Sequence, residues 1–409
     1  MRTRIALLLL PLLGAALLLR PAPPAGPSPD TRWNRPSGEP AGTEDQQLLS
    51  ALGYLAWAGP ATEKLGVSLH DPRAEAGLNL VVSGDAPAAT LIDMDGATLH
   101  RWSLTWEEAF PTGPEGSETR GYWRRARLGP GGDLFALFTG YGVLRLDRDA
   151  APRWTAAGRY HHDLRLGGGL LWTLERTEAD GVEDDRLVAL DPDTGAVRST
   201  TSLSAALRRS PWHALLAGAA GRDPLHANTV WWVAPGSQPP PLSAGGVLVV
   251  LRERDAVLLM RGGEVVWATA GPWDAPHEAQ PTPDGGLLLF DNRGAWPRSR
   301  ALELALDTGA VRWTWDGGEL PLSSATCGTV QRLGGGNTLI VSSNQGRAVE
   351  VTPSGEEVWA FWNPARSESA DGSPLIANLF QVERLPAQEL PAALLPARRT
   401  PTDRVDQTQ

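Results

Sequence analysis

The sequence predicts an all-β protein: a six-bladed β-propeller with a short N-terminal helix and an N-terminal signal or anchor segment. Three observations lead there. The 409 residues include Gly 45, Pro 35 and Trp 17, the composition of many short strands joined by tight turns and plugged by large side chains. A unit of strand, strand, tight turn and strand recurs six times, usually closed by tryptophan. Its period of roughly 40–60 residues, with strands and turns only, is that of propeller blades. Finally, the stretch Phe380-Gln381-Val382-Glu383-Arg384-Leu385 supplies a strand that the first unit lacks.

Composition also excludes some functions. The formal charge of −10 argues against a nucleic-acid partner. It does not exclude a small anionic substrate, which responds to local charge. Cys327 is the lone cysteine, so an intrachain disulfide and a cysteine metal cage are both ruled out.

At the N-terminus, Arg2 and Arg4 precede an apolar run from Ile5 to Leu19. The run is short for a membrane span of ~20 residues and suits the core of an export signal. No Ala-x-Ala cleavage site follows, so a cleaved signal and an uncleaved anchor both fit residues 1–20. Either places the main domain outside the cytoplasm, in the periplasm or on the outer face of the membrane. Residues 21–43 are rich in Pro, Gly and Ser and read as a linker. The propeller domain is expected over 44–385. It starts with a helix over 44–58, where Leu48, Leu49, Leu52 and Leu55 fall at helical spacing. The strand pattern begins at Leu78. The Pro-rich, polar stretch 386–409 is expected to be a disordered tail.

The six units begin at Leu78, Asp133, Leu170, Val247, Leu287 and Thr338. Turns such as Asp93-Met94-Asp95-Gly96, Asp191-Pro192-Asp193-Thr194-Gly195 and Asp307-Thr308-Gly309 mark their hairpins. Trp102, Trp154, Trp267, Trp313 and Trp359 close five of them. These rings are expected to wedge between neighbouring blades, each burying ~150–250 Å².

A blade needs four strands, so each unit should borrow an inner strand from the sequence before it. The preludes align as Arg124–Leu128, His162–Leu166, His226–Val230, His277–Gln280 and Gly328–Leu333. Phe380–Leu385 completes the first blade and closes the ring, removing two exposed sheet edges. The first positions then read Phe380, Arg124, His162, His226, His277 and Gly328. Three of the seven histidines thus share one position in three successive blades. His161 adjoins the register and is an alternative to His162. His70, His100 and His213 fall outside it and read as surface or loop residues.

Three axial histidines suit several chemistries. They fit a divalent metal, an anion, or a nucleophile with acid–base and oxyanion partners. The plainer alternative is a set of satisfied, buried bracing residues. Arg124 in the ring and Arg252, at the end of the strand after His226, favour an anion over a metal. A guanidinium stays charged and forks onto tetrahedral oxyanions. No Gly-rich nucleotide loop is visible, so neither a nucleotide donor nor any other cofactor is implied.

Over residues 50–385 the sequence resembles the arylsulfotransferase (arylsulfate sulfotransferase) family of exported propeller proteins. The resemblance rests on His161-His162-Asp163, Leu225-His226-Ala227-Asn228-Thr229-Val230, Pro276-His277-Glu278-Ala279-Gln280, Phe290-Asp291-Asn292-Arg293-Gly294 and Gln331-Arg332-Leu333-Gly334-Gly335-Gly336-Asn337-Thr338. Each motif is short, and their order and spacing together are specific. The resemblance implies sulfuryl transfer from a phenolic sulfate ester to a second phenol, without a nucleotide. It implies His277 as the histidine that carries the group. His162, His226 and Arg252 would bind the sulfuryl oxygens and handle protons, with His161, Asn228 and Arg124 as further substrate-binding residues. One departure stands out: Arg252 is followed by Glu253-Arg254-Asp255, where the family pattern has His-Gln-Ser. The alternatives are a propeller lyase or hydrolase with a three-histidine metal, and a non-catalytic envelope binding module.

Overall fold

A computed structural model describes residues 57–395, apart from 59, 113–117, 180, 220–221 and 370. The expected signal or anchor, the linker and all but the end of the expected helix lie outside the described residues. At that end, Trp57–Ala58 is not helical but pairs as a short strand with Pro374–Ala377.

The described chain is all-β and antiparallel, of propeller type, with two short helices (Trp106–Ala109 and Leu203–Arg208). Each expected unit forms one sheet. Sheet one holds Leu379–Leu385, Leu78–Ser83, Ala88–Ile92 and Thr98–Ser103, in that order. Sheet two is Arg125–Leu128, Leu134–Phe138, Gly142–Leu146 and Pro152–Ala157. Sheet three is Tyr160–Gly167, Leu170–Ala179, Val182–Leu190 and Val197–Ser202. Sheet four is Ala227–Val233, Gly246–Leu251, Ala256–Arg261 and Glu264–Ala270. Sheet five is His277–Pro281, Gly286–Ala295, Arg298–Ala305 and Val311–Trp315. Sheet six runs from Thr329–Arg332 through Thr338–Ser342, Arg347–Val351 and Glu357–Trp362 to Gly66–His70. That last strand precedes the expected start at Leu78; its exposed, weakly apolar sequence hides an edge strand.

The first strands of the six sheets run side by side in a closed ring. Closure is as expected: Leu385 pairs with Leu78 and Val382 with Val81, so the C-terminal strand completes the first sheet. Hairpins are built by aspartates whose side chains cap their own turns. Asp93 Oδ1 accepts from the Asp95 and Ala97 amides, and Asp147 and Asp191 repeat the device. The core lies between sheets. The closing tryptophans sit on the fourth strands, and several bond to the next sheet's turn: Trp154 Nε1 to Pro192 O at 3.0 Å and Trp359 Nε1 to Met94 O at 2.9 Å. They are wedges, as expected.

The tail expectation needs correction at its start. Leu390 and Leu394 are buried in the core shared by sheets one and two. Sheltering such side chains is worth ~1.5–3 kcal/mol each, which holds 387–395 on the body despite its prolines. Deleting residues 377–409 should therefore give insoluble protein or a large fall in melting temperature, whereas deleting 396–409 should leave melting unchanged. Thermal melts of the two truncations check this; equal, full-length stability in both would contradict closure by the C-terminal strand.

Candidate active site

The inner strands deliver their leading residues to the axis through local irregularity. The pairing register breaks between His161 and Leu164, between Ala227 and Thr229, and between His277 and Gln280. His162, His226 and Glu278 have φ of 63°, 48° and 47°. Non-glycine residues rarely adopt this left-handed region, and bulges of this kind re-aim side chains. The three histidine strands carry them, whereas the inner strands of sheets two and six pair regularly.

The result gathers His162, His226, His277, Arg124 and Arg252 into one buried cluster, with each histidine 1–4% exposed. The His162 and His226 rings meet edge-on with centroids 4.9 Å apart. Arg124 donates to Cys327 Sγ at 3.1 Å and lies over Phe380. At the sixth position, Gly328 leaves room for Phe290, which a Cβ there would strike at 2.4 Å. Arg252 follows strand Gly246–Leu251 in a single tight turn, its amide donating to His226 O at 3.1 Å. It is paired with Glu253, so the departure from the family pattern puts a carboxylate on this guanidinium.

His277 has a defined tautomer. Asn292 Nδ2 donates to the carbonyls of Ser324 and Cys327, which leaves Oδ1 as the acceptor facing His277 Nδ1 at 2.7 Å. Nδ1 therefore carries the proton. Nε2 keeps a bare lone pair, and it is buried without a hydrogen-bond partner among the described residues. Asp291 pins the preceding loop by accepting from the Asp274 amide at 3.0 Å. His226 differs: its Nδ1 lies 2.8 Å from Asp223 Oδ2, too bent for a good hydrogen bond.

Burial, helped by the charges around the ring, keeps two of the imidazoles neutral. Burial first, then Arg252, Arg124 and His226, push His277 well below the usual imidazole value. Burial, then His226, His161 and Arg124, do the same to His162. Burial would raise the Asp223 carboxyl, but His226 and Arg176 outweigh it and hold it low.

Two of the expected substrate-binding residues have their polar atoms engaged by the protein. His162, not His161, meets the other histidines; His161 lies behind it, with Nδ1 2.7 Å from His162 Nδ1 and Nε2 3.1 Å from Asp185. Asn228 uses its amide to join sheets: Nδ2 donates to Pro276 O and Oδ1 accepts from Thr229. It braces the residue before His277. The three remaining histidines are peripheral, with His70 against Asp95 and His100 against Arg148 O. Trp123 and Trp273 are core residues, and the Trp231 ring lies under Arg165 at 3.8 Å.

Sequence reasoning missed Asn292, Asp223, Asp185 and Arg176. The Asp291-Asn292 pair ending a strand was a signal for the first. Charged residues on the inward-facing positions of Leu170–Ala179 and Val182–Leu190 were a signal for the last two. Among the described residues, no three His, Cys, Asp or Glu side chains form a group that could hold a metal.

A family model, arylsulfotransferase (ASST), matches residues 139–364, more than half of the chain. The chain belongs to the arylsulfotransferase family. The match contains His161, His162, His226, Arg252 and His277. No curated protein matches this arylsulfotransferase. Solved structures similar to it include a protein of unknown function from Bacteroides caccae (14% identity, TM-score 0.47, covering 70% of this chain and 94% of that one). Another is a streptogramin B lyase (10%, 0.44, 76% and 97%). A third is the Dos1 propeller (12%, 0.40, 76% and 82%). Likenesses of this size decide nothing about its chemistry.

The depressed histidines give a signed pH prediction. Their unfolded value is ~6.5, and below it the unfolded chain takes up protons that folded His162 and His277 refuse. Stability should therefore fall as the pH drops through ~6.5, with no further gain from these groups well above it. Urea midpoints at about pH 7.5 and about pH 5.5 check this. The His162→Gln/His277→Gln double variant should lose less on acidification than the parent; an equal loss would contradict the assignment.

Proposed function

We propose that this arylsulfotransferase is a nucleotide-independent aryl sulfotransferase on a six-bladed propeller, moving a sulfuryl group between phenols through a sulfo-histidine at His277. The observation that carries the reading is the locked tautomer: Asn292 holds the proton on Nδ1, and Nε2 is a bare, buried lone pair. A neutral imidazole held below its usual pKa stays nucleophilic across the neutral range.

In the first half-reaction, Nε2 attacks the sulfur of an aryl sulfate. The S–O bond to the phenol breaks, and the leaving phenolate takes a proton from His226. In the second, an acceptor phenol attacks sulfur, the S–N bond breaks, and His226 takes the acceptor's proton. In this reading the Arg124 and Arg252 guanidiniums take the sulfuryl oxygens, because positive groups let a nucleophile approach an anion, and neutral His162 adjoins them as a further oxygen-binding group. Because the histidines are nearly fully buried, substrate entry requires a covering side chain to swing aside. Release of Arg252 from Glu253 is one such movement. The expected export of the domain, with residues 1–20 as cleaved signal or anchor, belongs to the same proposal and suits a donor met outside the cytoplasm.

Initial rates with a chromogenic aryl sulfate and a phenol test the reading. Double-reciprocal plots should be parallel, since the donor phenol leaves before the acceptor enters. His277→Asn should abolish donor cleavage, while His162→Asn or His226→Asn should slow turnover by about 10²–10⁴-fold, as for a lost acid–base group. Chelators should leave the rate unchanged. Intersecting plots, an active His277→Asn, or activity lost with bound zinc and restored by it would contradict the proposal and favour the metal alternative.

A further inference from the structure

Behind the histidine cluster lies a second, largely buried set of charges. Arg176 comes from the second strand of sheet three. Its Nη2 lies 2.7 Å from Asp223 Oδ2, its Nε 3.3 Å from Asp185 Oδ1 and its Nη1 3.0 Å from Glu183 Oε2. Asp223 in turn touches His226 Nδ1, and Asp185 touches His161 Nε2, whose other nitrogen meets His162. Both carboxylates are also anchored to backbone: Asp185 Oδ2 accepts from Ala227 N at 2.6 Å, and Asp223 Oδ1 from His226 N at 3.0 Å. The path His162–His161–Asp185–Arg176–Asp223–His226 therefore closes on itself through the 4.9 Å contact of the His162 and His226 rings.

Glu183 is shared with Arg159 and Arg222 at the rim and is balanced there. The closed path then contains one cation, Arg176, and two carboxylates, Asp185 and Asp223, so +1 − 2 = −1 before any imidazole is protonated. One proton on the three histidines brings it to zero. A second would place like charges on adjoining buried rings, which is unfavourable. The nitrogen of His226 in contact with Asp223 is the best-compensated place for that proton. His226 is also faced by Arg252 and His277 across the ring. Arg252 is offset by Glu253, and Arg124 acts on His162 and His277.

We propose that this network stores a single transferable proton on His226 and that Arg176, as a positioning residue, sets that number by balancing Asp185 against Asp223. The proposal rests on the sulfotransferase reading for its use: the stored proton is the one given to the leaving phenolate and regained from the acceptor phenol. No other reactant is required, because the proton lost in the first half-reaction returns in the second.

The test reads the proton directly. Nitrogen NMR of the full chain with ¹⁵N-labelled histidine, without substrate near neutral pH, should show His226 cationic and His161, His162 and His277 neutral. Asp223→Asn removes one negative charge and should leave all four neutral. Arg176→Gln leaves the pair of carboxylates uncompensated and should make His161 cationic as well as His226. Arg176→Lys keeps the charge and should restore the parent pattern, which a purely structural role of Arg176 does not predict. A neutral His226 in the parent, or the same pattern in all four proteins, would overturn the proposal. Kinetics form the second arm. Asp223→Asn should slow donors with weakly acidic phenols far more than a nitrophenyl donor, whose leaving group needs no proton. Equal slowing would overturn the role of the proton in transfer while the NMR result stood. An inactive parent with the expected NMR pattern would instead overturn the sulfotransferase reading alone.

Discussion

Two arginines on one inner strand tie the axis of this molecule together, and the aim of two of its histidines, His162 and His277, depends on them. Arg125 donates to Phe380 O in sheet one, reaches Glu278 in sheet five at 2.9 Å and lies 3.2 Å from Asp163 in sheet three. Arg127 reaches Asp163 at 3.1 Å, Leu164 O at 2.9 Å and Glu383 at 3.0 Å. Asp163 and Glu278 each directly follow a ring histidine, His162 and His277. Once the following side chain is drawn into the ionic hub, the register breaks and positive φ angles turn the imidazoles the other way. Groups so buried tolerate loss of a partner badly, at ~3–5 kcal/mol for a broken pair. The hub therefore restrains both the closure of the ring and the aim of its histidines.

That division gives the axis two chemically distinct levels. On one, carboxylates and guanidiniums satisfy each other around a small cavity also lined by Trp231 and Gln381. On the other, guanidiniums face imidazoles. Arg252 has Glu253 against it there, and Arg124 reaches Cys327 Sγ and the Phe380 ring. The anion proposed for this site would lie among these guanidiniums and imidazoles. The tautomer set by Asn292 then separates His277 from its neighbours, which the ring position alone treats alike.

The sequence exposed the parts of the fold that depend on periodicity. The six units, the inner strand of each and the return of Leu379–Leu385 to the first sheet follow from alternation and turn chemistry, which are local. It exposed the histidine ring for the same reason. Features set by packing were hidden. His161 and His162 are adjacent, and a bulge, not alternation, decides which one faces the ring. Arg176 and Asp185 look like exposed alternation in a hairpin until that hairpin is covered by the stretch bearing Asp223. Asn228 carries a polar amide beside the site, yet its bonds go to Pro276 O and Thr229. Leu390 and Leu394 are isolated apolar residues in a proline-rich tail, with no period to mark them as core.

The central claim is that His277 bears the sulfuryl group. Mass spectrometry of enzyme quenched with aryl sulfate and no acceptor, followed by peptide mapping, tests it most directly. The account predicts a sulfuryl adduct on the peptide containing His277, discharged when a phenol is added before the quench. An adduct on His162 or His226, or undiminished labelling of His277→Asn, would contradict it.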